Sequence, residues 1–411
     1  MLELSGFGLF MAALIWACAW LLVLVLRYRQ IIVACWQEPV LKSPVLIFES
    51  DDWGPGAADD AYQLQRIAKL LRQYQDSVGR HPVMTLGLIL ALPDSSRIKM
   101  SDYKSYYRIT LSDERFASIL DEIKKGVCEG VFTTQLHGME HYWPSDLMSS
   151  LHENDELKLL LDREPLLRTE LLPDGLQSRW RQNEKLAADT VSRGEVTRAV
   201  EDETDTFNAI FGEKAKVIVP PTFVWHQQVE LNWQACGLAY LVTPGFIAKG
   251  RDEQGMMLVG GELIYNGLQS VSGLTYLVRN DFFEPSKGHR AEQALLALDE
   301  KTRLGRPTLL EIHRFNFCDN EAQSVSSRAQ LERCLTGAQK NWPELRFVST
   351  GELGDMYSDP NHPQTLVDRR ITNRLLVFMA RLWAYRALRK WLCISGLFVV
   401  VKTLSVANKW R

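Results

Sequence analysis

The chain has 411 residues, a formal net charge of -3 and ordinary proportions of apolar and charged residues. Without a basic surplus it lacks the counter-charge that a nucleic-acid binder sets against phosphates, and its length fits either two average domains or one large barrel. Seven scattered cysteines, an odd number without CxxC spacing, exclude a disulfide framework or a structural zinc knuckle as the organising device.

From Gly6 to Leu26 runs an uncharged apolar stretch of about 20 residues, the length that spans a bilayer as a helix. Glu3 and the absence of Lys or Arg before this stretch argue against a cleaved signal peptide. Arg27 and Arg29 follow it directly, so the positive-inside rule places the rest of the chain in the cytoplasm, with a periplasmic domain as the variant. Residues 1–42 are expected to form a single-pass anchor and its juxtamembrane segment.

Residues 43–360 alternate short apolar runs with longer helical segments, the pattern of repeated βα units. Strands are expected from Val45, Val83, Val131, Lys216, Leu238, Leu274, Thr308 and Arg346. Helices are expected near Asp59–Gln75, Ser112–Lys125, Gln182–Ile210, Ala291–Thr302 and Ser326–Lys340. About seven parallel strands closing into a distorted (β/α) barrel is the simplest arrangement, and a doubly wound open sheet is the alternative. The segment from Trp143 to Trp180 is too long for a simple connection and reads as a helical insertion, a lid or a substrate wall. Residues 361–411 form a tail with ten Lys and Arg after Asp368 and no acidic residue. Its stretch from Arg370 to Trp391 reads as a helix, apolar on most sides, that meets an anionic lipid surface.

Three groups of residues carry chemistry, each at the end of a strand-like run. Asp51 and Asp52 are adjacent carboxylates, which repel unless a cation or a proton lies between them. His137 and His141 are four apart, on one face if a helix begins there, a spacing that suits two imidazoles on one ion. With a carboxylate they make a two-histidine, one-carboxylate set that leaves positions open for water and substrate. His313 ends the run TLLEIH, and its ordinary pKa of about 6.5 suits a general acid. These are the parts of a metal-assisted hydrolase.

The same residues resemble the polysaccharide deacetylases with the NodB homology domain, grouped as carbohydrate esterase family four, here as a membrane-anchored surface-polysaccharide branch. ESDDWG is similar to the family's usual TFDDG, and the resemblance assigns Asp51 as base and Asp52 as metal ligand. His137, Gly138, Met139, Glu140 and His141 resemble the second motif and imply two further ligands, with Gly138 where a hydroxyl residue is usual. VPPTFVW resembles the third motif, with Val219 in place of the usual arginine. The resemblance leaves Arg279 or Arg314 to orient the base, Pro221 retained, Phe223 or Trp225 as wall, and a backbone N–H near Thr222 as oxyanion donor. Asp281 in VRNDFFEPS is the candidate for a supporting role in the fourth motif, and TLLEIH resembles the fifth, with His313 as acid. The likeness covers roughly Val45 to Leu353 and is most specific in motifs one, two and five.

What it implies is a divalent metal, zinc or cobalt, and hydrolysis of an N- or O-acetyl group on a sugar. An anchor at the bacterial inner membrane narrows the partners to an envelope glycan or a lipid-linked sugar precursor. One rival is a non-catalytic carbohydrate-binding barrel, which the missing arginine favours. Another is a metal-free glycoside hydrolase using Asp51 and Glu262, which leaves the histidine pair unexplained.

Overall fold

The computed structural model describes residues 6–180, 192–251 and 257–407. Its centre is a curled, wholly parallel sheet of β1 (Val45–Trp53), β2 (Met84–Ile89), β3 (Phe132–Gly138), β4 (Val217–Ile218), β5 (Tyr240–Thr243), β6 (Thr275–Val278), β7 (Asp281–Phe282), β8 (Thr308–His313) and β9 (Arg346–Phe347). The hydrogen-bonded order is β6-β5-β4-β3-β2-β1-β8-β7, with β9 beside the start of β1. β6 and β7 are consecutive pieces of one segment. Its first half pairs with β5 and its second half with β8, so this segment brings the two ends of the sheet together. Around that ring there are seven strand positions, and the arrangement is the distorted (β/α) barrel expected from the sequence rather than an open doubly wound sheet.

Each apolar run becomes a strand because the helices cover its outer face. All nine residues of β1 are buried, and the helices Ala58–Leu71, Ala117–Cys128, Arg193–Phe211, Ala291–Arg303 and Glu321–Asn341 supply the outer layer. The helix expected from Gln182 is described from Arg193 onward, and residues 182–191 lie outside the described residues. The insertion folds into the helices Pro144–Glu153 and Asp155–Arg163, followed by two 3₁₀ turns. It has its own small apolar core of Leu147, Leu151, Leu157, Leu161, Leu167, Leu172 and Leu176.

The helix Gly6–Gln37 is long and apolar enough to cross a membrane, and nearly all of it lies outside the core. It enters β1 at that strand's N-terminal end. The tail is not one continuous helix: it breaks at Tyr385 and again at Gly396, giving Ile371–Ala384, Arg386–Ser395 and Phe398–Ala407. These helices pack on the N-terminal helix through Leu24, Cys35, Leu382, Leu388, Leu392 and Val401. Arg381 is buried instead of reaching for solvent. Its guanidinium donates to the carbonyls of Cys35, Glu38 and Pro39 at the end of the N-terminal helix and to Leu304 and Gly305 before β8. Those carbonyls have no helical partner of their own, so one cation ties the N-terminal helix, the tail and the barrel floor together. All seven cysteines are free.

Candidate active site

In a parallel barrel the side chains at the C-terminal strand ends converge on one mouth, and here they line a cavity of about 620 Å³. Register explains the grouping. Glu49 lies beside Glu311, and Asp51 beside His313, on the neighbouring strands β1 and β8. Residues two apart share a face of a strand, so this makes two stacked rows inside the barrel.

Asp52 would point away from Asp51 in a regular strand. The pairing of β1 with β2 slips between Ser50 and Trp53, and Asp52 takes φ 66°. That left-handed turn, which Asp tolerates better than most residues, lets both carboxylates face the cavity. His137 is the penultimate residue of β3 and His141 follows in a loop, because the next helix starts only at Pro144. The pair is therefore not on a helix face, as the spacing suggested. Gly138 at φ 116° folds the chain back, and the two rings meet edge to face with centroids 5.0 Å apart. Gly138 thus serves a backbone conformation that other residues rarely adopt.

Asp52 Oδ1 lies 3.5 Å from His137 Nε2 and 3.7 Å from His141 Nε2, and one donor atom from each residue falls within 4.8 Å of the others. His137 Nδ1 donates to the Val219 carbonyl oxygen at 2.7 Å, which leaves Nε2 as the free lone pair. Asp52 Oδ1 is buried without a hydrogen bond. This donor set fits a divalent ion. Burial lowers the His141 pKa to about 4, which keeps that ring neutral and ligand-competent at pH 7. For Asp52, burial is outweighed by the imidazoles that face it, His137 first, then His141 and His313, and its pKa is lowered.

The base candidate is held by Arg279. Its Nη2 lies 2.7 Å from Asp51 Oδ2, and its Nε lies 3.3 Å from Glu311 and 3.5 Å from Glu49. Arg279 is 1 % exposed. Burial alone would raise the Asp51 pKa, but Arg279 outweighs it and holds Asp51 ionised, whereas for Glu49 and Glu311 burial wins and both pKa values are raised. Of the two arginines left open by the sequence, Arg279 is the one that reaches Asp51. Arg314 is also buried, but its side chain pairs with Asp60 and donates to the Pro55 carbonyl, while its backbone N–H donates to the Asp51 carbonyl. It braces the turn after β1.

His313 Nδ1 donates to Glu284 Oε1 at 2.5 Å, and Asn316 donates to the other Glu284 oxygen. Burial disfavours the imidazolium, but the Glu284 hydrogen bond and the charge of Asp52 outweigh it and raise the His313 pKa to about 10. Asp281 is the wrong carboxylate for this support: it pairs with Lys301 at 2.9 Å, away from the cavity wall.

Thr222 and Phe223 both line the cavity at positive φ, and Thr222 Oγ1 meets Ser178 Oγ at 2.5 Å. Pro221 is buried in the same turn, within contact range of Gly138. Trp225, expected as a wall, is fully buried and donates to Glu230. Phe223 takes the wall position. Glu262 is exposed and does not line the cavity.

Several neighbours of the site were not singled out by the sequence. Glu49 and Glu311 had a signal: a carboxylate inside an apolar strand, two residues before an already suspected one. Glu140, between the histidines, receives Arg179 at 2.6 Å, Arg108 at 2.7 Å and Tyr106 at 3.0 Å, which pins the ligand loop. Phe282, half exposed at the mouth, and Phe315, stacked on His313, form an aromatic rim.

No protein-family model matches this chain, and no curated protein does. Among solved structures it is similar to a putative polysaccharide deacetylase from Mycobacterium smegmatis, at 10 % identity and a TM-score of 0.39, covering 81 % of this chain and 98 % of that one. A family 4 acetyl xylan esterase from Clostridium thermocellum, in complex with a cobalt ion, matches at 11 % identity and a TM-score of 0.36, covering 77 % and 95 %. A 4-alpha-glucanotransferase from Thermococcus litoralis matches at 10 % identity and a TM-score of 0.39, covering 77 % of this chain; the match spans only 40 % of that enzyme. The functional reading rests on the side-chain geometry.

Proposed function

We propose that this chain is a metal-dependent hydrolase that removes an N- or O-acetyl group from a sugar of a cell-envelope polysaccharide or its lipid-linked precursor. The observation that carries the reading is the convergence of Asp52, His137 and His141 beside an arginine-held Asp51 and a carboxylate-held His313 in one cavity. A divalent ion held by Asp52, His137 and His141, zinc or cobalt as the family resemblance implies, would supply Lewis acidity at that position. Asp51, kept ionised by Arg279, takes a proton from the attacking water. His313, kept protonated by Glu284, gives a proton to the leaving nitrogen or oxygen as the acyl bond breaks. The backbone N–H of Thr222 is the candidate donor to the developing oxyanion, since those of Phe223 and Val224 donate within the turn, and Phe282 and Phe315 give a sugar ring apolar faces to lie against.

In this reading residues 1–42 anchor the chain in the bacterial inner membrane, residues 43–360 form the catalytic barrel and residues 361–411 lie at the membrane. Arg27 and Arg29 favour a cytoplasmic barrel. The anchor joins the N-terminal strand ends while the cavity opens at the C-terminal ends, which suits a glycan presented away from the lipid surface. The test is metal content and acetate release for the full chain beside Asp52→Ala and His137→Ala. The reading expects about one ion per wild-type chain, with metal and acetate release lost together in both variants. A wild-type chain that takes up neither zinc nor cobalt and releases no acetate would favour the carbohydrate-binding alternative.

A further inference from the structure

We propose that Glu170, on the insertion, is a sugar-binding residue of this cavity and accepts hydrogen bonds from hydroxyl groups of the acetylated sugar. The inference rests on the deacetylase reading and names what that site recognises. Glu170 sits in the 3₁₀ turn Thr169–Leu171, which faces the metal-ligand set across the cavity, with Arg168 and Gln177 beside it in the wall. The turn is held in place from behind by Leu167, Leu172 and Leu176 of the insertion's own core.

Among the described residues, Glu170 is the one carboxylate with both oxygens buried and neither hydrogen-bonded to another residue. The other acidic groups of the wall have partners. Asp51 and Glu311 pair with Arg279, Asp319 pairs with Arg168, and Asp52 faces the two histidines. Burying a carboxylate without donors is costly, and a bound ligand that brings donors recovers that cost. A glycan brings paired hydroxyls, which a carboxylate can accept on its two oxygens.

Charge favours a neutral donor over a cationic one. With His313 protonated, the wall carries five carboxylates (Asp51, Asp52, Glu170, Glu311 and Asp319) and four cations (Arg168, Arg279, Lys287 and His313). That leaves a formal charge of -1, which one divalent ion turns to +1, so no negative excess remains to draw in an amino sugar.

The experiment uses the full chain with Glu170→Gln and Glu170→Ala. Three readouts are taken: metal content, acetate release from N-acetylated hexose oligomers against 4-nitrophenyl acetate, and calorimetric binding of the oligomers. The expected result is unchanged metal, unchanged nitrophenyl acetate hydrolysis, and a KM and Kd for the oligomer raised about tenfold or more, with kcat nearly kept. An unchanged oligomer Kd and KM overturns the proposal. Loss of metal in both variants also overturns it, because Glu170 would then be an ion ligand, and so does an equal fall on both substrates. If the wild type binds the oligomer but hydrolyses neither substrate, the deacetylase reading fails, and the calorimetry still decides the role of Glu170.

Discussion

Replacing Arg279 by Met removes the guanidinium that bridges a cluster of three buried carboxylates while keeping most of the side-chain volume. Breaking a buried ion pair from one side costs roughly 3–5 kcal/mol of stability. The lower end is expected here, because Glu49 and Glu311 have raised pKa values and can relieve the cluster by taking up protons. Asp51 differs, since its pKa is lowered mainly by Arg279. In the wild type that contribution is present above the unfolded carboxylate pKa; without Arg279, burial raises the Asp51 pKa, and the variant relieves its loss by protonating Asp51 as pH falls. The gap in Tm between wild type and Arg279→Met should therefore be widest near pH 7 and narrow toward pH 4. For catalysis, the charge-assisted hydrogen bond at 2.7 Å is worth about 1.5–3 kcal/mol, or about 10- to 100-fold in rate if it is realised in the transition state.

Initial rates of acetate release from pH 4 to 9, with metal content and thermal melts on the same samples, separate the two effects. Arg279→Met should lose about 10- to 100-fold at neutral pH with its metal retained, and its acid limb should move to higher pH. Arg279→Lys keeps the charge but not the planar fork that spans Asp51, Glu49 and Glu311, so it should keep more of the acid limb than of the rate. A folded, metal-loaded Arg279→Met with the wild-type rate and pH profile would refute the assignment of Arg279 and, with it, of Asp51 as base.

Glu284→Gln removes the main support of the His313 imidazolium, so the alkaline limb of kcat against pH should move to lower pH. The support stabilises the fold fully below the ordinary histidine pKa and is lost as pH rises through about 10, so the variant should melt lower at pH 6 and match wild type near pH 11. Gly87→Ala puts a methyl group into the space of Asp51 Oδ1; activity should fall about tenfold or more with metal content unchanged, as read by acetate release and metal analysis. Glu140→Gln loosens the loop between the two histidines and should weaken metal affinity about 10- to 100-fold, measured by titration with a chelator.

The barrel was legible because its strands are buried on both faces and read as continuous apolar runs. The bounds of the strands from Val45, Val131 and Thr308 follow those runs closely. The tail was less legible: Tyr385 and Gly396 interrupt a pattern that looks continuous, and the burial of Arg381 depends on carbonyls contributed by two distant segments. In the site, the paired Asp residues, the two histidines and His313 announced themselves by type and spacing. The destination of Trp225 did not. It follows two non-glycine residues at positive φ, Thr222 and Phe223, a conformation with no sequence signature, and that turn sends Phe223 to the cavity and Trp225 to the core.

The valine that stands where the resemblance expects an arginine has a physical reading in the same terms. A barrel interior receives side chains from every strand, so the donor that orients a base need not come from a fixed position in the chain, only from the layer facing that base. Val219 keeps a role through its backbone, as acceptor for His137, while its side chain lies in the core. The guanidinium comes instead from Arg279, 228 residues from Asp51, on the segment where β6 passes into β7. With Glu49, Asp51 and Glu311 stacked in adjacent rows, an interior without that cation would hold its carboxylates by protonation, Asp51 included. In the proposed reaction Arg279 therefore serves folding and base orientation through the same contacts, and the Lys variant, which keeps the charge and loses the fork, is the substitution that separates them.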